Sequence, residues 1–143
     1  MEATAPATSL RLLVLDAPNL PQTPLPFTQT SADTGDDSII MGYPGGGDFW
    51  VGPARVRDRV DISGPDFRDT RTVVRDVYAL FGSVRSGNSG GPLFDTEGRV
   101  LGVVFASAID DPETGYALTG PQVAEAAHEG VTNSAEVSTG PCE

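Results

Sequence analysis

No lysine occurs in this chain; all nine of its cationic side chains are arginine. Without an ε-amine it can form neither a Schiff base nor a Ser–Lys dyad. It has one histidine, His128, and one cysteine, Cys142. Two such residues do not make a zinc site, and no metal or cofactor is expected. A lone cysteine excludes a disulfide within the chain, leaving Cys142 to pair outside it or to stand as an inert thiol. No apolar run approaches the length of a membrane span. The longest near the start, Leu12-Leu13-Val14-Leu15, is too short for a signal peptide and lacks a basic region before it. Cations are also outnumbered: 20 acidic residues leave a net charge of −11. That charge argues against nucleic acid as a partner and against a basic amphipathic membrane anchor.

What the chain does have is glycine and proline, 17 and 12 of its 143 residues. With 38% hydrophobic residues, this suits one turn-rich β domain rather than a helical bundle. Residues 1–9 read as a disordered lead. Residues 10–36 hold an apolar strand, Leu10 to Leu15, and a proline-spaced extended linker. An acidic turn from Asp33 to Asp37 follows. Strand signals then recur at Ser38–Tyr43, Phe49–Asp61, Thr72–Phe81, Pro92–Phe94, Arg99–Ala106 and Tyr116–Leu118. The second is expected to bend at Gly52-Pro53 and to end before Ser63-Gly64-Pro65. Residues 37–120 are thus expected to form an antiparallel barrel or sandwich. Residues 121–143 hold the one helix and a tail, with Pro121 in the first turn and Gly130 as the C-cap.

The most specific signal is Gly87-Asn88-Ser89-Gly90-Gly91-Pro92. It is a strand-to-strand turn that presents one hydroxyl among glycines, which permit a sharp turn and close approach of a carbonyl. The N–H groups of Gly87 and Ser89 are placed to converge on an oxyanion, with Ser89 as nucleophile. Asn88, Gly90 and Gly91 support the turn. A serine nucleophile needs a base. His128 lies near the end of the helix and reads as a surface residue, favoured there by the helix dipole. The carboxylates of Asp33, Asp36 and Asp37, and of Asp110, Asp111 and Glu113, lack calcium-loop spacing and read as solvated turns. Gly45-Gly46-Gly47 has no lysine or helix after it and reads as a hairpin or bulge rather than a phosphate cradle.

Together with Pro18-Asn19-Leu20, Met41 to Gly47, Arg75-Asp76-Val77-Tyr78 and Val100 to Thr119, this motif resembles the C-terminal half of a chymotrypsin-like serine protease. It is most similar to the actinobacterial membrane-anchored acid-resistance proteases of the MarP type. The resemblance runs from about Leu10 to Cys142. It implies an all-β fold: the second, six-stranded antiparallel barrel of a two-barrel serine endopeptidase, with a short C-terminal helix. It implies Ser89 as the catalytic serine, Ser83 at the base of the substrate pocket, and Phe105, Ala106 and Ser107 pairing with a peptide substrate. A neutral Ser83 argues against strict selection of Lys or Arg. Asn88 replaces an Asp that in many relatives pairs with a new N-terminal ammonium. Cys142 would bridge to an upstream cysteine, and the compartment would be extracytoplasmic. The resemblance also carries departures. Arg11 occupies the place of the catalytic Asp, and no histidine precedes Ser89. A truncated chain is therefore expected, with His and Asp in a first barrel upstream. A remnant or a non-catalytic peptide-binding module is the alternative.

Overall fold

The computed structural model describes residues 19–66, 71–132 and 135. The expected strand at Leu10 to Leu15, Arg11 and Cys142 lie outside them. Six strands close into an antiparallel barrel: β1 (Asp37–Gly42), β2 (Trp50–Pro65), β3 (Thr72–Phe81), β4 (Pro92–Asp95), β5 (Val100–Ser107) and β6 (Thr114–Thr119), in the order β1-β2-β3-β6-β5-β4. One helix, α1 (Gly120–Thr132), follows.

The apolar residues have two destinations. Ile40, Ala54, Val56, Tyr78, Leu80, Leu93, Leu101, Val104 and Ala117 fill the barrel. Val77, Leu118 and Val123 of α1 form a second cluster with Val60, Ile62, Val103, Phe105 and Tyr116 around them. A β-bulge between Val56 and Asp58 explains how one strand serves both. Ala54 and Val56 point inward. One extra residue then reverses the alternation, so Val60 and Ile62 face the helix cluster.

The second strand is longer than its sequence suggests. It continues through Gly52-Pro53 and through Ser63-Gly64-Pro65. Val56 directs its N–H and C=O to the linker, at Asp36 and Gly35. Alternation then turns the nitrogen of Pro53 to the opposite edge, where the β3 ladder has not begun; it starts at Arg55. No ladder bond is lost there. At the far end Arg75 of β3 donates from Nη2 to the Pro65 carbonyl at 2.5 Å, holding the expected breaker in the strand. Gly130, expected as a C-cap, lies within α1. Thr132 extends the helix, its hydroxyl donating to the His128 carbonyl at 2.9 Å.

The linker runs over the barrel rather than free of it. Thr28 and Pro26 exchange backbone hydrogen bonds with Val100, at 3.0 and 2.8 Å. The buried Tyr78 hydroxyl accepts the Ala32 N–H at 3.0 Å. The acidic turn closes on itself, Asp33 N–H donating to an Asp36 carboxylate oxygen at 2.9 Å.

Candidate active site

Two consecutive turns present Ser89. The Asn88 N–H closes the first onto the Arg85 carbonyl at 2.9 Å, and the Asn88 carbonyl closes the second by accepting from Gly91 at 3.0 Å. Gly87 and Gly90 are the third residues of the two turns, with φ of +97° and +87°. That is the type II requirement, which glycine meets at no steric cost. A side chain at 87 would also meet the Gly45 nitrogen at 2.8 Å and the Tyr43 carbonyl oxygen at 2.9 Å. Asn88 is the pivot of both turns, and its side chain is buried to 1% exposure. Its carboxamide lies against Gly42, where a Cβ would come within 2.7 Å of Oδ1. Neither Oδ1 nor Nδ2 has a hydrogen-bond partner among the described residues.

The turn is sewn to β5. Gly90 N–H donates to the Val104 carbonyl at 2.8 Å, and Val104 N–H donates to the Gly91 carbonyl at 2.9 Å. The register of β5 with β6 then slips between Val104 and Ala106. Phe105 is the extra residue. Its ring joins the helix cluster, and its carbonyl accepts the Ser89 hydroxyl at 3.2 Å. The bulge thus puts the Ser89 hydroxyl beside the strand segment expected to receive a peptide.

Within this loop the backbone donors divide in two. The N–H groups of Asn88, Gly90 and Gly91 have internal acceptors. Those of Gly87 and Ser89 have none among the described residues. Two exposed, unengaged N–H groups flanking one hydroxyl can stabilise charge on an attacked carbonyl oxygen.

Ser83 is half-buried just beyond β3. Ser107 pairs with Gly115 across β5 and β6, and a Cβ at Gly115 would meet Val84 Cγ2. Val84 and Gly115 therefore belong to the same end of the barrel as Ser83 and Ser107. Sequence reasoning missed both, because only the β3, β5 and β6 registers bring them together. It also missed Gly42, whose absent side chain makes room for Asn88. His128 is exposed on α1, the element that packs against β5 and β6. Ser89 has the Phe105 carbonyl, not an imidazole, as its hydroxyl partner. Elsewhere the acidic residues close turns. The Thr114 hydroxyl donates to Asp111 at 2.6 Å, and with the Glu113 N–H it holds the Asp111 carboxyl below its usual range.

A closed six-stranded antiparallel barrel whose β-turn offers a serine flanked by two unengaged N–H groups is an arrangement of the trypsin-like peptidase class. Residues 2–103 match the trypsin-like peptidase domain, and the chain belongs to that family. It is 48% identical over 136 residues to the serine protease Rv3671c of Mycobacterium tuberculosis, an alignment covering 94% of this chain and 34% of the relative. The active-form crystal structure of that protease superposes with a TM-score of 0.81, covering 87% of this chain and 55% of the other. A serine endoprotease from Yersinia pestis, 21% identical with a TM-score of 0.64, shares the fold over 83% of this chain and 39% of its own. The chain thus spans about a third of the curated relative it matches.

Proposed function

We propose that this chain is the serine-bearing barrel of a serine endopeptidase, and that Ser89 forms the acyl-enzyme during peptide-bond hydrolysis. The observation that carries this reading is the pair of unengaged N–H groups, Gly87 and Ser89, beside the exposed Ser89 hydroxyl. In the reaction the Ser89 Oγ attacks the scissile carbonyl carbon and the hydroxyl proton passes to a base. The carbonyl oxygen becomes an oxyanion held by the two N–H groups. Collapse of the intermediate breaks the C–N bond, the base returns its proton to the amine, and water later hydrolyses the ester.

The base comes from outside this barrel, since the one histidine is on α1. A first barrel carrying His and Asp is the partner we infer, and a protein or peptide is the substrate. Ser83 forms the pocket base, with Phe105, Ala106 and Ser107 along the bound peptide. Cys142 pairs with a cysteine upstream. An extracytoplasmic location belongs to the same reading and is supported by the resemblance to the MarP type; among the described residues no helix is long and apolar enough to cross a membrane.

A fluorophosphonate probe tests the reading. The protein isolated from its own cells is expected to be labelled at Ser89, and the Ser89→Ala variant is not. The isolated 143-residue chain is expected to react slower by about three orders of magnitude or more, because the oxyanion donors alone leave only residual catalysis. Absence of labelling in the native protein would instead favour a peptide-binding module, which the hydroxyl resting on the Phe105 carbonyl also fits.

A further inference from the structure

On the side of the serine turn away from β5, two aromatic rings stand in solvent. Tyr43 is 60% exposed and Phe49 is 55% exposed. Their ring centroids are 5.4 Å apart with planes tilted by 55°, a pairing that rings favour for its own sake. Val51 next to them on β2 is 51% exposed. Trp50, by contrast, packs against the core, and the Arg85 guanidinium lies 4.8 Å over its ring.

This patch is joined to the nucleophile turn. Gly45 N–H donates to the Ser86 carbonyl at 2.7 Å. The Gly87 Cα is pressed against Tyr43 and Gly45 so closely that no Cβ fits. Ser89 is thus flanked by the β5 carbonyl of Phe105 on one side and by the Tyr43–Gly47 loop on the other. An extended peptide lying along the edge of β5, with its carbonyl oxygen at Gly87 and Ser89, must leave across that loop.

We propose that Tyr43 and Phe49 receive a large apolar side chain on the leaving side of the scissile bond, within the first two residues beyond it. The proposal rests on Ser89 being the nucleophile. Its occupant follows from continuity with the serine turn. The rings offer no charge, so they select for apolar area removed from water.

The test uses the 143-residue chain carrying Ser89→Ala and two leaving-side peptides, the amides of Phe-Ala-Ala and Ser-Ala-Ala. Amide NMR titration at millimolar peptide follows binding. The Phe peptide is expected to shift the signals of Tyr43, Phe49, Val51 and Gly87 and to bind about tenfold tighter than the Ser peptide. A Tyr43→Ser/Phe49→Ser variant is expected to lose that preference. The comparison of the two peptides on unsubstituted rings stands even if that variant does not fold. Equal affinities, shifts away from the four residues, or patch shifts that follow protein concentration without peptide would each overturn the proposal. The last would mean that a second copy covers the rings. Probe labelling at Ser89 without the peptide preference sinks the patch alone; the preference without labelling sinks the peptidase reading and leaves a peptide site.

Discussion

Asn88 links the two turns of the serine loop through its backbone, yet its side chain is the most exposed to electrostatic consequence. The carboxamide is buried against Gly42 with no partner among the described residues. A neutral amide tolerates this at a cost of about 1–3 kcal/mol, whereas a carboxylate there would pay for desolvation and have its pKa raised. The sign follows from linkage. A carboxyl with a raised folded pKa keeps its proton on folding, so stability falls as pH rises above the unfolded value of about 4. Asn88→Asp is therefore expected to lie near the parent at pH 4 and to lose about 3 kcal/mol or more by pH 7. Urea midpoints at the two pH values check it. A variant equally stable at both would mean that a cation reaches this position.

At the scale of elements, Asp76 of β3 ties its own strand to β2, β6 and the helix. Its carboxylate accepts two hydrogen bonds from Arg59 of β2, at 2.8 and 2.6 Å, and one from the Thr119 hydroxyl at 2.8 Å. Its N–H donates to Gln122 Oε1 of α1 at 2.9 Å. Arg59 continues to the linker, donating to the Ser31 hydroxyl at 2.9 Å. The Arg59 guanidinium and the Thr119 hydroxyl keep the Asp76 carboxyl below its usual range, against the opposing effect of burial. A depressed folded pKa contributes stability above the unfolded pKa, and that contribution is lost as pH falls below about 4. Asp76→Asn is expected to cost about 1–2 kcal/mol at neutral pH. It should also flatten the acid limb of the stability profile, which thermal melts across pH 2–7 would register.

For the molecule as a whole, the linker and barrel act as one body because the Ala32 N–H reaches a hydroxyl buried at the centre of the sheet. Tyr78 is fully buried and its ring belongs to the barrel core. Tyr78→Phe keeps the ring and removes the acceptor. It is expected to cost about 1–2 kcal/mol and to raise hydrogen exchange at Ala32 before it affects the strands. Equal protection at Ala32 in both proteins would show that the backbone bonds of Pro26 and Thr28 to Val100 suffice.

The strand count, most strand centres, the helix and the family motif around Ser89 were legible in the chain itself. Alternation, glycine-rich turns and a six-residue motif are local properties, written within a few neighbours. What escaped was non-local. Gly52-Pro53 read as a bend and Pro65 as a break, because only the pairing partners decide whether a missing N–H matters. Ala54, Val56, Val60 and Ile62 fall on one face by plain alternation, because the bulge at Arg57 that separates the first two from the last two is a matter of register with β3. Gly42, Val84 and Gly115 carried no mark of their own. Each meets its partner only when the barrel closes, through pairs distant in sequence. Local chemistry wrote the serine turn and the elements; closure of the sheet decided which side chains surround them.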